Sequence, residues 1–279
     1  MKFSEHFDIN VEKDDDWFDL LLNVDAKLFI DPFLIYSAED SEFVGSHDEV
    51  ISFFNEVFEL IARSQGREES VLWKKALGLL LFPEAEEFKL GYAGEGKPGA
   101  GSGRGFAKVI AEALYEAISA GVEELTHFEE VGILREGIGA DRISDITATI
   151  LRGRFVEYTA RISIDKGIPT KEFAYQRGVY DPKLNRWSEL RCSLPVNPYD
   201  NLPILLAPQK YIRDLPTISA ADFWNYCYDN ENDLLRTDFS YDITRNVDKK
   251  TIVNFARKHP DLRQKYLATI ENGSQSRTT

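Results

Sequence analysis

The stretch Gly137-Ile138-Gly139-Ala140-Asp141-Arg142-Ile143-Ser144-Asp145, here called the glycine–aspartate motif, runs directly into a long amphipathic segment. Its two glycines are free to adopt positive φ, and Ser144 is a residue type that caps helices. Apolar residues then recur at three- to five-residue intervals as far as Lys166, where Gly167 and Pro169 follow. The pattern predicts a tight charged turn that opens a helix from Ser144 to about Lys166.

The segments on either side of this helix predict a helix-rich α+β fold. Helical spacing of apolar residues marks six further stretches, at residues 46–64, 69–82, 106–120, 122–134, 249–258 and 261–270. From residue 172 the period changes to that of strands, and residues 173–180 and 187–194 predict a β-hairpin. A short apolar strand is predicted at residues 203–208. We therefore expect one α+β domain over residues 1–271, with a small antiparallel sheet at about 172–208, a helical C-terminal extension and a disordered tail at 272–279.

Two local predictions bear on this architecture. In the 122–134 stretch, Glu123, Glu124, Glu129 and Glu130 are expected to form a solvated face. Asp31 interrupts the apolar run 28–35 directly before Pro32. A turn capped by Asp31 is the favoured interpretation, and a carboxylate delivered to a site is the alternative.

Composition excludes some functions. The formal net charge of −14 argues against a general nucleic-acid coat or a protein that binds anionic membranes. It leaves open a nuclease with acidic metal ligands and a local basic groove. The two cysteines, Cys192 and Cys227, lack metal-ligand spacing and predict reduced thiols in a cytoplasmic protein. No apolar run approaches the ~20 residues of a membrane span, so no membrane partner is expected.

A second feature is the glycine-rich segment, residues 90–105, in which seven of sixteen residues are glycine. A glycine-rich loop that opens a helix presents backbone N–H groups to an anion. The residues expected to bind such a ligand are Lys97, Gly101, Gly103, Arg104 and Arg142. The spacing matches neither the Walker pattern nor a dinucleotide fingerprint. A flexible surface loop is the favoured alternative on glycine density.

Carboxylates are the best candidates for catalysis. Asp141 and Asp145 are four residues apart, so in a helix they share a face and can share Mg²⁺. Asp31 is the predicted third metal ligand, and Lys210 would stabilise charge developing on a transferred phosphoryl group. The alternative is structural: an Asp141–Arg142 surface pair, with Ser144 and Asp145 capping the helix.

Other catalytic signatures are weak. The four histidines are scattered, no Gly-x-Ser-x-Gly elbow occurs, and a cysteine–histidine dyad stays open. Carboxylates with a lysine resemble the logic of the PD-(D/E)XK nuclease superfamily, but Pro208 stands where an acid should precede Lys210. Five tripeptides fit the acid-x-lysine spacing, and only Asp25-Ala26-Lys27 leads directly into a predicted strand.

The glycine–aspartate motif, the glycine-rich segment and Leu202-Pro203-Ile204-Leu205-Leu206-Ala207-Pro208-Gln209-Lys210 together resemble bacterial proteins of the mobile-element and phage-defence type. The resemblance spans residues 90–215 and implies a context, defence against phage or foreign DNA. Two hypotheses follow. One is a Mg²⁺-dependent nuclease or phosphodiesterase acting on nucleic acid. The other is a non-enzymatic sensor or adaptor that binds a nucleotide or a protein partner through the glycine-rich segment.

Overall fold

The computed structural model of the chain describes residues 1–83, 85–92, 102–119, 122, 125–239 and 244–275. Their helices are α1 (Phe3–His6), α2 (Pro32–Ile35), α3 (Ser46–Ser64), α4 (Val71–Leu79), α5 (Ser102–Ser119), α6 (Glu130–Leu134), α7 (Ala140–Ile150), α8 (Arg152–Asp165), α9 (Ala220–Asn230), α10 (Asn232–Asp238), α11 (Lys249–Lys258) and α12 (Pro260–Gln275). Their strands are β1 (Phe29–Ile30), β2 (Lys171–Asp181), β3 (Arg186–Leu194) and β4 (Ile212–Arg213). Short 3₁₀ turns occupy Glu86–Phe88 and Gln209–Tyr211.

The strands form two small antiparallel sheets. Strands β2 and β3 make the predicted hairpin, with Lys171 opposite Leu194 and Asp181 opposite Arg186. Strands β1 and β4 pair over two residues each. The predicted α+β class, with a small antiparallel sheet and C-terminal helices, is confirmed. Residues 203–208 make single bridges at Pro203 and Pro208 rather than a strand, because prolines at both ends cannot extend a ladder.

The helix that follows the glycine–aspartate motif begins earlier than predicted. Gly137 has φ of +84°, which forms the turn, and α7 already starts at Ala140. Ser144 therefore lies inside α7 rather than at its cap. Its Oγ accepts a hydrogen bond of 3.0 Å from the Ile30 N–H, which fixes β1 against the helix. The helix is also interrupted at Leu151, which caps both the end of α7 and the start of α8 at Arg152.

Two clusters of buried apolar side chains hold the described residues together. The larger one unites α3, α4, α5, α7 and α8 with the inner side of the β2–β3 hairpin. The smaller one belongs to Ile218 and α9–α12, and it includes two residues from much earlier in the chain, Phe33 and Ile133. The C-terminal helices thus bury their apolar faces around these two side chains.

Two other predictions change in detail. The predicted helix at 122–134 is reduced to α6, and Glu129 and Glu130 are buried there rather than solvated, with exposed fractions of 2% and 7%. That part of the prediction was wrong because apolar neighbours carry both side chains inside. Helix α12 runs to Gln275, so residues 272–275 of the predicted tail are helical. Residues 123, 124 and 276–279 lie outside the described residues.

Candidate functional site

The first turn of α7 contacts the residue that precedes the undescribed part of the glycine-rich segment. The Tyr92 N–H donates a 3.3 Å hydrogen bond to Oδ1 of Asp141. Gly91, next to it, has φ of +122°, and a Cβ built there would lie 2.6 Å from the same oxygen. Only glycine lets the backbone come so close to the Asp141 carboxylate.

The next residue of α7 contacts the far side of the same segment. The Arg142 guanidinium lies over the ring of Phe106, 4.9 Å from its centroid, within α5. Gly103 and Arg104 lie in the first turn of α5, with Arg104 exposed. Lys97 and Gly101 fall outside the described residues. Adjacent motif residues, Asp141 and Arg142, therefore hold the two flanks of residues 93–101, and the two sequence features meet in space.

Asp145 binds a different backbone group. Its Oδ1 accepts a 3.2 Å hydrogen bond from the Ala85 N–H, and its Oδ2 lies 3.9 Å from the Arg142 guanidinium. Residues 85–92 connect α4 to the glycine-rich segment. Asp141 and Asp145 each accept a hydrogen bond from a different backbone N–H of this connection.

A further acidic residue lies near Asp141. Burial raises the pKa of Asp25, and the Asp141 and Asp200 carboxylates raise it further, while Lys89 opposes them. Lys89 itself pairs with Asp200 at 2.7 Å. The exposed ring of Tyr92 lies beside this group, under the ammonium of Lys27 at 5.6 Å. The surface at the first turn of α7 therefore carries charges of both signs.

The other two predicted catalytic or metal residues are occupied elsewhere. Asp31 is fully buried and caps α2, accepting from the Phe33 N–H at 3.1 Å and from the Thr217 N–H and hydroxyl at 2.8 and 2.6 Å. Burial raises the pKa of Asp31, and these hydrogen bonds oppose the shift. Lys210 binds Asp40 at 2.6 Å. Within the described ranges, no three His, Cys, Asp or Glu side chains are grouped to hold a metal ion.

A second polar group, which we call the Glu129 cluster, lies between α2, α3, α6 and α12. It comprises Ser46, His47, His127, Glu129, Glu130 and Glu271. His127 is 1% exposed and its Nε2 lies 2.9 Å from the Glu271 carboxylate. The rings of His47 and His127 are 5.4 Å apart, and Tyr36 contacts both.

The Glu129 cluster contains buried polar atoms with no hydrogen-bond partner among the described residues: Ser46 Oγ, His127 Nδ1 and Glu129 Oε1. Burial raises the pKa of Glu129 to about 8, and the neighbouring Asp31 and Glu130 carboxylates add to the shift. Burial also lowers the pKa of His47 to about 4. Unsatisfied buried groups with displaced pKa values are concentrated at functional sites in proteins.

Sequence reasoning missed this cluster. His47 and His127 are eighty positions apart and carry no ligand spacing, so only the packing of α3 against the 127–134 segment brings them together. The sequence does contain one local indication of the cluster: the acidic pair Glu129-Glu130 stands between the apolar residues Phe128 and Val131. Such a pair on a short buried helix points inward as readily as outward.

A family model described as "Domain of unknown function (DUF8370)" matches residues 8–219. The chain belongs to the DUF8370 family. The matched DUF8370 region contains α7, the glycine-rich segment and the β2–β3 hairpin, and it ends at Ser219, the N-cap of α9. No curated protein and no solved structure matches the chain. Among the described helices, none combines the length and the hydropathy that crossing a bilayer requires.

Proposed function

We propose that this DUF8370 protein is a sensor or adaptor of a bacterial anti-phage defence system that works in the cytoplasm. Its binding surface for a nucleotide or a protein partner would be the first turn of α7 together with the glycine-rich segment. The observation that supports this proposal is that Asp141 contacts Tyr92, just before residues 93–101, and Arg142 contacts Phe106, shortly after them. The defence context rests on the resemblance described above.

The role of Asp141 in this proposal is to position backbone. Its Oδ1 accepts from Tyr92, and Gly91 leaves room for that oxygen. Fixing the residues on both sides of a binding segment reduces the conformational entropy that binding costs. Arg104, exposed in the first turn of α5, and Arg142 supply positive charge for a phosphate group.

A pair of substitutions tests the positioning role. Asp141→Asn keeps a side-chain oxygen that can accept from Tyr92, whereas Asp141→Ala removes it. We expect Asp141→Asn to keep binding within about threefold and Asp141→Ala to weaken it at least tenfold, about 1.4 kcal/mol. Isothermal titration calorimetry with a panel of mononucleotides and dinucleotides measures this, and survival of phage-challenged bacteria measures the biological effect.

Asp165→Asn serves as the control. Asp165 is exposed at the end of α8, and its ion pair with Arg161 is long, at 3.8 Å, and therefore weak. This variant should behave as the wild type. A folded Asp141→Ala protein with unchanged nucleotide binding and unchanged phage protection would refute the positioning role.

A second candidate function is the Mg²⁺-dependent phosphodiesterase or nuclease. The favouring observation is that Asp25, whose pKa is raised mainly by burial, interacts electrostatically with both Lys89 and Asp141. Two carboxylates near a lysine can bind a hard cation and a phosphate. The predicted metal role of Asp31 and the predicted catalytic roles of Asp145 and Lys210 would require these side chains to leave Thr217, Ala85 and Asp40, their present partners.

The same Asp141→Asn variant separates the two functions. A metal-binding carboxylate loses its charge in this variant, so Mg²⁺-dependent hydrolysis should fall at least a hundredfold. Hydrolysis of bis-p-nitrophenyl phosphate and of single-stranded DNA, with Mg²⁺ and with EDTA, provides the measurement. If the wild type does not hydrolyse either substrate above the EDTA background, this candidate function is rejected.

A further inference from the structure

The Glu129 cluster borders a small pocket that is separate from the surface at α7. Its polar lining residues are Ser46, His47 and Glu129. Its apolar lining comes from α2, α3, Phe128 and Leu151. His47 and Ile51 are the partly exposed lining residues, so the pocket opens between them. The enclosed part has room for about one water-sized group.

The polar atoms at this pocket lack partners. Ser46 is 1% exposed and Glu129 is 2% exposed, yet Ser46 Oγ and Glu129 Oε1 accept no hydrogen bond from a described residue. An unsatisfied buried oxygen costs roughly 1–3 kcal/mol, and more when it is charged. The His47 imidazole, neutral because burial lowers its pKa to about 4, adds a third acceptor on one ring nitrogen.

The buried carboxyl groups near the pocket differ in whether a cation acts on them. Asp31, Glu129 and Glu130 are all buried carboxyl groups. Arg263, also buried, interacts with Glu130, and burial lowers the pKa of its guanidinium. Asp31 in turn interacts with Arg213, whereas the charged groups that shift the pKa of Glu129 are both carboxylates. A positive ligand beside Glu129 would therefore favour the ionised form of this side chain.

We propose that the pocket between Ser46, His47 and Glu129 binds the head of a small primary ammonium compound. An R–NH₃⁺ group has three N–H donors, and the pocket offers three acceptors: Glu129 Oε1, Ser46 Oγ and a ring nitrogen of His47. An ammonium head is close to water in size, and the alkyl stem of such a compound would leave the pocket between His47 and Ile51, the partly exposed lining residues.

Ammonium chloride and methylammonium chloride are the probes, because both carry the proposed head group. Potassium chloride at equal ionic strength supplies a monocation without N–H donors, and tetramethylammonium chloride supplies a cation that is too large and lacks them. The readouts are the midpoint of thermal unfolding and the His47 imidazole signals in NMR, assigned with His47→Gln. Ligand binding to the native state raises the midpoint.

We expect ammonium and methylammonium to raise the unfolding midpoint and shift the His47 signals, with no such effect from the two control salts. Glu129→Gln removes the ionisable carboxyl group with little change of shape, and Ser46→Ala removes one acceptor. Each should weaken methylammonium binding at least tenfold. Glu130→Gln is the matched buried control and should retain the response.

The results that overturn the proposal are specific. One is an equal response to potassium chloride, which would show that N–H donors are irrelevant. Another is an unchanged methylammonium response in folded Glu129→Gln and Ser46→Ala proteins. The third is the absence of any response in the wild type. None of these readouts depends on nucleotide binding or phosphodiester hydrolysis, so failure here is distinguishable from failure of the proposed function.

Discussion

At the scale of single residues, Gly91 and Asp141 show how one backbone position is adapted to one side chain. Gly91 has positive φ and lies so close to Asp141 Oδ1 that a Cβ would meet it at 2.6 Å. The neighbouring Tyr92 N–H uses the same oxygen. The conformation of Gly91, the position of the Asp141 carboxylate and the hydrogen bond from Tyr92 therefore depend on one another. A substitution of Gly91 or Asp141 should disturb the other residue and the hydrogen bond.

Gly91→Ala should lower the free energy of unfolding by about 1–3 kcal/mol, because alanine is strained at positive φ and its methyl group displaces the Asp141 carboxylate. Urea denaturation measures this. Gly78→Ala is the control: Gly78 lies inside α4 with nothing within 4 Å of its Cβ position, so alanine should stabilise by about 0.5–1 kcal/mol. Equal effects at both positions would refute the close-approach argument.

At the scale of elements, a buried arginine fixes the β2–β3 hairpin to α8. Arg152, at the start of α8, is 3% exposed; its Nε binds Glu87 at 3.1 Å and its Nη1 donates to the Arg177 carbonyl on β2. The guanidinium also lies 4.6 Å from the ring centroid of Tyr175. A hairpin of only two strands needs such contacts, because two strands alone are marginally stable in water.

Arg152→Met should destabilise the protein by roughly 3–5 kcal/mol, because it leaves Glu87 buried without its partner. The double variant Arg152→Met/Glu87→Gln should recover part of that loss, as measured by urea denaturation. Arg191→Met on the exposed face of β3 is the control; Arg191 is 81% exposed and should change stability by less than ~1 kcal/mol. A double variant no more stable than the single one would contradict the pairing argument.

At the scale of the whole molecule, the Glu129 cluster should make the free energy of unfolding depend on pH. Burial raises the pKa of Glu129 to about 8, whereas in the unfolded chain it is ~4.3. Between these values the unfolded state has released a proton that the folded state keeps, so stability falls as pH rises. Burial lowers the pKa of His47 to about 4, against ~6.5 unfolded, so stability falls as pH drops through that window.

These two trends oppose each other between pH 4.3 and 6.5, and above pH 6.5 only the Glu129 trend remains. We therefore expect Glu129 to lower the free energy of unfolding by at most ~1.4 kcal/mol per pH unit between pH 6.5 and 8. Glu129→Gln should remove this slope. Urea denaturation at several pH values in ammonium-free buffer measures it, and an identical slope in both proteins would contradict the assignment.

The sequence predicts those parts of the fold that depend on neighbouring residues, and it does not predict those that depend on contacts between distant residues. The helix at Ser46–Ser64 and the hairpin at Lys171–Leu194 follow from apolar periodicity, which needs no tertiary information. The role of Ser144 was misjudged because its partner, Ile30, is 114 residues away. The contact of Asp141 with Tyr92 and the meeting of His47 with His127 have the same cause, since long-range packing leaves no fixed spacing in the chain.

The position of Phe33 and Ile133 has a consequence for synthesis. Both side chains lie in the DUF8370 region, yet they are buried by α9–α12, which are translated later. Until the ribosome has completed those helices, the nascent chain exposes an apolar surface at these two residues. Chains stalled before residue 220 should therefore engage chaperones or aggregate, and full-length chains should not.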